Sequence, residues 1–285
     1  MICLNSAKCI PQNGVRNMRS DWGMSAGKIL IPAVLCICCC AAQCQDAREM
    51  VRQDVKVELE ADATDHSNWI FHDDDQKPGN DVVQWVAQTH QGNLKRVIER
   101  NGHKISKEQQ RQSIEDFIHD SDAQAEQRQA NQKDAQQAES LLKLLPNAFL
   151  WTEVSHNYDT TTFRFKPDPI FSPPSYASRV FAAMAGEMVV DNKQHRIEEF
   201  KGEMIHDVNF LWGILGSVKK GGWFEVDRQE VGPGIWEITQ THIHIHGHIL
   251  FFKTISQQED DVETSFSREP GDVTLEQAAA AVMKK

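Results

Sequence analysis

Beyond Cys44 the chain has no cysteine. All seven, Cys3, Cys9, Cys36, Cys38, Cys39, Cys40 and Cys44, lie in the first 44 of its 285 residues. A domain starting near Gln43 therefore has no internal disulfide and no thiolate metal site. The signatures of nucleophilic and nucleotide chemistry are missing too: there is no G-x-S-x-G elbow, no P-loop and no G-x-G-x-x-G after a strand. Basic charge is scarce, with 30 Lys and Arg against 41 Asp and Glu, a net charge of -11. Such an excess of acid argues against binding a phosphate backbone and against electrostatic adhesion to anionic lipid, and it leaves apolar contact with a lipid chain open.

No long apolar run is present either. Lys28 is followed by "ILIPAVLCICCCAA", a stretch of 14 residues from Ile29 to Ala42. A transmembrane helix needs about 20. A basic residue, a short apolar core and small residues at its end make the layout of a secretory signal, residues 1–42, with cleavage expected after Ala42. Residues before Met18 or Met24 then reflect an over-long start. Export implies a periplasmic or secreted protein. The alternative is an outer-membrane lipoprotein anchored through Cys44, although Gln43 stands where a small residue is expected. Removing residues 1–42 takes away four basic residues and one acidic residue, which leaves a net charge of about -14.

What is present, from Arg179 to Ile255, is strand pattern. Val180, Ala182, Met184, Gly186, Met188 and Val190 alternate, as on one face of a strand. Asp191, Asn192 and Lys193 supply a turn, and Ile197, Glu199 and Phe200 begin the return. "VKKGGWFEV" and "QEVGPGIWEITQTHIHIHGHILFFKTI" repeat the scheme. Phe210 to Gly222, apolar and punctuated by Gly, reads as a short helix plugging an open sheet, or as a lid over it.

Upstream, Ala47, Val51, Val55 and Leu59 mark one face of a helix from about Asp46 to Glu60. Three strands and a short fourth follow, the last after Asn101-Gly102, the pair that favours a type I′ turn. Ser106 and Gln109 have capping-box spacing and open a helical insertion over 106–145, bent near Asp120, Ser121 and Asp122. Its middle is Gln, Ala and charge. It reads as docked at both ends and solvated between, with Pro146-Asn147 ending it. A hairpin turns at Asn157-Tyr158-Asp159, and the Pro-rich stretch 167–175 leads into the central strands. "VETSFSREP" adds an edge strand, and Thr274 with Gln277 caps a C-terminal helix.

Four histidines, His242, His244, His246 and His248, alternate with isoleucine and predict a ladder on one strand face at spacings of ~6.5–7 Å. Read as chemistry, they are a metal site; read as structure, they are a solvated face. His206 is a possible further ligand without a spacing rule to link it. Asp73, Asp74 and Asp75 lack the Gly and distal Glu of a calcium loop and read as a solvated strand end. The adjacent pairs Glu198-Glu199 and Asp260-Asp261 are expected on opposite faces of their strands, ill-placed for joint acid-base work.

The order of export signal, helix, meander, helical insertion and second meander resembles the LolA/LolB-like lipoprotein-carrier superfamily. The local likeness is carried by Gly186, Met188 to Val190, Asp191, Arg196 and Ile197 in "MAGEMVVDNKQHRIEEFKGEM". The chain also resembles a group of uncharacterised exported bacterial proteins, through Trp212 to Gly222 and Leu250 to Ile255. The carrier likeness implies a half-barrel whose concave face, lidded by helices, holds acyl chains. It transfers no lining residue, and the polar insertion departs from it.

The fold expected is therefore α+β. A curved, open antiparallel sheet is packed by N-terminal, inserted and C-terminal helices in one domain over 43–285. The function expected is non-enzymatic binding of a lipid or lipoprotein acyl chain in the cell envelope, with transient membrane contact and no cofactor or nucleic acid. The alternatives are a ligand-free interaction protein that uses the acidic insertion as its contact surface, and a metal binder.

Overall fold

At Asn101 and Gly102 the backbone has φ of +48° and +73°. Positive φ at both positions is what a type I′ turn requires, so this dipeptide reverses the chain as its composition predicts. The computed structural model describes residues 33–210, 216–245, 247–249 and 258–285, with the side chains of 46–209, 217–245 and 258–285. The class is α+β. The strands are β1 Asn68–Gln76, β2 Val82–Ala87, β3 Leu94–Arg100, β4 His103–Lys104, β5 Phe149–His156, β6 Thr160–Pro167, β7 Met184–Asp191, β8 Ile197–Met204, β9 Val208–Phe210, β10 Gly216–Val218, β11 Trp223–Gly232, β12 Ile235–His244, β13 Gly247–Ile249 and β14 Gln258–Glu269. The helices are α1 Ala33–Thr64, α2 Lys107–His119, α3 Ser121–Ala148, α4 Tyr176–Phe181 and α5 Leu275–Val282. Among the described residues no helix is long and apolar enough to cross a membrane.

Eleven strands form one open antiparallel sheet in the order β4-β3-β2-β1-β14-β12-β11-β8-β7-β6-β5, and β13-β10-β9 form a small second one. The two meanders are joined by β14. It pairs with β1 on one side and β12 on the other. "VETSFSREP" is therefore an interior strand and not the expected edge. Both of its flanks find partners because the first meander ends on β1 and the second on β12.

The helices follow their local signals closely. Ser106 and Gln109 make the reciprocal capping box of α2, and Asp120 then caps α3 by accepting from Asp122 N and Ala123 N. Gln127 clamps both Asn93 N and Asn93 O, and Leu145 is buried near the far end of α3, while residues 128–140 between them are exposed. α3 runs through Pro146 to Ala148, past the expected stop. Val180 falls in α4 and Ala182 is its C-cap, because Ser175 and Ser178 cap each other and start a helix before the alternating pattern takes over. The strand begins only at Met184. At Gly186, a Cβ would lie 1.9 Å from Lys201 O, so only glycine lets β7 and β8 approach there.

α1 contains the expected Asp46–Glu60 helix and extends past both ends. Ala47, Val51 and Val55 are buried against Phe149, Trp151, Phe163, Phe165, Met188 and Met204, all at or below 1% exposure among the sheet residues. Each large side chain so buried contributes roughly 1.5–3 kcal/mol. Of the segment 210–222, Val218 belongs to this core and the flanks pair as β9 and β10. Residues 211–215 lie outside the described residues, so neither plug nor lid is decided there.

The polar ridge of α1 reaches the sheet as well. Glu58, 1% exposed, accepts from Ile197 N at 2.5 Å and is paired with Arg228 at 2.7 Å and Arg196 at 3.0 Å. Asp54, one turn earlier, meets His195 Nδ1 at 3.0 Å. Arg48 donates to Phe149 O and Asp168, which fastens the start of the packed half. Removing one partner of a buried ion pair leaves the others uncompensated and costs about 3–5 kcal/mol. Glu58→Gln is expected to lower the unfolding free energy by about that amount, read as a lower denaturant midpoint at unchanged slope.

Candidate functional site: the two faces of the sheet

Register places side chains in rows across the strands, since directly opposed residues project to the same side. One row runs Asp75, Asp261, Thr241, Val226, Phe200, Met188 and Phe163. The next residues along the strands make the opposite row: Asp260, His242, Glu225, Lys201, Glu187 and Arg164. The first face is aromatic beneath α1 and carboxylate-rich at its centre. The row named on the second is polar throughout.

Of the carboxylates at the centre of the aromatic face, Asp73 is buried and Asp75, Asp261 and Glu263 are half-buried. Asp73 is 7% exposed and accepts from Gln84 Nε2 at 2.6 Å. Asp75, Asp261 and Glu263 stand beside it through the pairings Asp75↔Asp261 and Asp73↔Glu263. These residues are not the solvated strand end their composition suggests, because β14 covers that flank of β1 and brings two more acids. Burial, the hydrogen bond to Asp73 and the charge of Asp73 push the Asp261 carboxyl up to about 9. Burial and Asp73 raise Glu263 to about 8. Burial and Asp65 raise Glu237 to about 7. A protonated Asp261 can donate to Asp73, which satisfies a pair that two carboxylates could not.

On the polar face, the histidine ladder is broken. β12 ends at His244, Ile245 turns into the core, and Gly247–Ile249 belongs to the other sheet. Ile243 and Ile245 both face the aromatic core, as alternation predicts, and β12 ends before it reaches His246 and His248. His242 Nδ1 and His244 Nε2 both meet Asp260 Oδ1, at 2.7 and 3.0 Å, and His244 stacks on Trp223 with centroids 4.4 Å apart. The side chains of His246 and His248 lie outside the described residues. His206 is exposed in the turn before β9. Among the described residues no group of three His, Cys, Asp or Glu is arranged to hold a metal ion.

Glu198 and Glu199 overturn the expectation of opposite faces. Val189 pairs with Glu199 and Val190 with Ile197, so Glu198 is the extra residue of a β-bulge. Ile197 and Phe200, three residues apart, both turn into the aromatic core, and the two glutamates between them share the polar side. Asp227 stands directly opposite Glu199. Together they line an open recess of about 400 Å³, with Thr160, Val189, Arg228 and Gln229. Burial raises the Glu198 carboxyl, helped by Asp191, Glu199 and Asp227; burial likewise raises Asp227, helped by Glu225 and Glu199. Asp260 and Asp261, with no bulge between them, do face opposite ways. A second recess of about 370 Å³ lies at the C-terminal end of α1, lined by residues including Asp62, Asp65, His66, Arg196 and Arg268.

Comparison with protein-family models, curated proteins and solved structures finds no match for this chain. The bulge at Glu198 had a faint signal in the sequence: Ile197 and Phe200 are apolar at a spacing of three inside an alternating pattern.

The raised acids have a consequence for stability. Between the ordinary carboxylate range near pH 4 and the raised values, the folded chain holds protons that the unfolded chain has released. Stability is therefore greatest on the acid side and falls as pH rises through 7 to 9. Asp261→Asn is expected to raise the thermal midpoint at pH 9 by roughly 2–4 °C, the scale of ~1 kcal/mol in a domain of this size, and to flatten its fall between pH 5 and 9. A thermal melt series across that range checks it.

Proposed function

We propose that the chain is an exported cell-envelope protein that holds a partner on its surface, without catalysis, cofactor or a ligand inside its sheet. One observation carries this reading. Among the described residues, the apolar face of the sheet is occupied: Phe149, Trp151, Phe163 and Phe165 pack edge-on and tilted against each other, and α1 closes over them. An acyl chain, which the resemblance to lipoprotein carriers implies, needs an open apolar recess there. The two recesses described above are lined mainly by charged and polar groups. Export rests on Lys28 and the apolar stretch Ile29–Ala42.

Organic extraction and lipid mass spectrometry on protein purified without detergent from an exporting host test the reading. A protein without a stoichiometric acyl species is expected, with an intact mass that begins at Gln43. A non-covalent acyl chain at one per protein would replace this reading with the carrier one. An acyl group attached to Cys44 would change the anchoring and leave the partner reading standing.

A further inference from the structure

We propose that β14 is a hinged strand: it bends at Ser265, and its half up to Thr264 parts from β1 when the carboxylates facing each other across that seam lose their shared protons. This stands apart from export and from the partner-holding reading, since it concerns how the two meanders are joined.

The core beneath α1 and the core beneath α2 and α5 have no residue in common, and β14 is the strand that joins the two meanders. Its residues 258–262 pair with β12, where Asp260 also holds His242 and His244. Its far end is fastened to the first meander. Ser267 to Glu269 pair with Ile70 to Asn68, and Phe266 stacks on Phe71 with centroids 5.3 Å apart. Asn68 Nδ2 donates to Gly271 O at 3.1 Å, and α5 then packs with Ile70 and Leu94. Between the two ends the register slips: Ser265 and Phe266 stand against Phe71 alone, and Ser265 has a φ of +60°. A residue other than glycine holds a sparsely populated conformation there, and the bulge interrupts the ladder, so the pairing is weakest at this point.

Before the bulge the seam is acidic. Asp73 faces Glu263 and Asp75 faces Asp261, and like charges directly opposite on adjacent strands repel. Asp73 Oδ1, Asp75 Oδ1 and Asp261 Oδ1 are enclosed with no donor among the described residues. The nearby cations do not supply one. Lys77 is held by Asp75 at 2.8 Å and by Glu259 at 2.7 Å, and Lys95 acts on Glu263. On the other flanks, Gln84 of β2 donates to Asp73, while Glu237 of β12 adds a further acid toward Glu263, with Asp62 and Asp65 of the α1 end behind it. Protons complete such a seam, because a protonated carboxyl donates to the carboxylate beside it. Burial and the neighbouring acids accordingly raise both Asp261 and Glu263. A carboxyl freed by opening is solvated and returns to the ordinary range near pH 4, so opening releases its proton and is favoured as pH rises.

The test is residue-resolved hydrogen exchange on the protein at pH 6, 7 and 8, with each rate divided by the intrinsic rate at that pH. Amides bonded across the seam between residues 72–76 and 260–264 are expected to be at least about tenfold less protected than those between 68–70 and 267–269, because they open without the rest of the fold. Their protection is expected to fall about tenfold for each pH unit, the linkage for one proton released per opening. Asp261→Asn with Glu263→Gln, whose amides keep a donor without titrating, is expected to hold that protection constant to within about threefold. Equal protection at the two ends of β14 in the wild-type protein would mean that the strand opens only with the whole molecule, and the hinge would be overturned. A flat pH profile in the wild-type protein, or a fall that persists in the double variant, would overturn the part assigned to the protons. The wild-type profile decides both points by itself if the double variant does not fold.

Discussion

The carboxylate of Glu58 holds the molecule's two layers together. It is buried on a helix whose other buried positions are Ala47, Val51, Val55 and Asp54, and it reaches a backbone N–H and two guanidiniums, one in the turn before β8 and one on β11. A lone buried charge would be expelled to solvent, but three donors from β8, its preceding turn and β11 compensate it. Once α1 is so anchored, its apolar ridge must lie on the aromatic face, and that decides that the face is a core. The same anchoring turns Arg228 away from the recess on the polar side.

The two sides of the sheet then divide the electrostatics. Carboxylates on the aromatic side share protons and raise one another's affinity for them, because burial there disfavours every negative charge added. Carboxylates on the polar side remain wet, and part of the row across the strands balances acid with base. The imbalance gathers at one bulge. A single inserted residue in β8 is enough to bring Glu198 and Glu199 together opposite Asp227.

Local chemistry was legible wherever a few neighbouring residues decide the conformation. The capping boxes at Ser106 and Thr274, the turn at Asn101-Gly102 and the hairpin at Asn157 all stand as their residues predict. So does the helix face from Ala47 to Val55. α4 was hidden because Val180 and Ala182 fit a period of two as well as a helix, and the deciding Ser175-Ser178 pair is a less familiar cap. The candidate surface was hidden more deeply. Glu198-Glu199 has the spacing of opposite faces, and only the pairing of Val189 and Val190 reveals the extra residue.

The sequence by itself determined most of the strands and helices, where most of them turn and which face of α1 is apolar, since these depend on side chains a few residues apart. Only the tertiary structure decided that β14 lies inside the sheet, that Asp261 stands beside the buried Asp73, that β12 ends at His244 and that three acids meet on one open face. The reason is physical. Each of these depends on pairing between strands distant in the chain, and alternation along one strand is the same whichever neighbour it acquires.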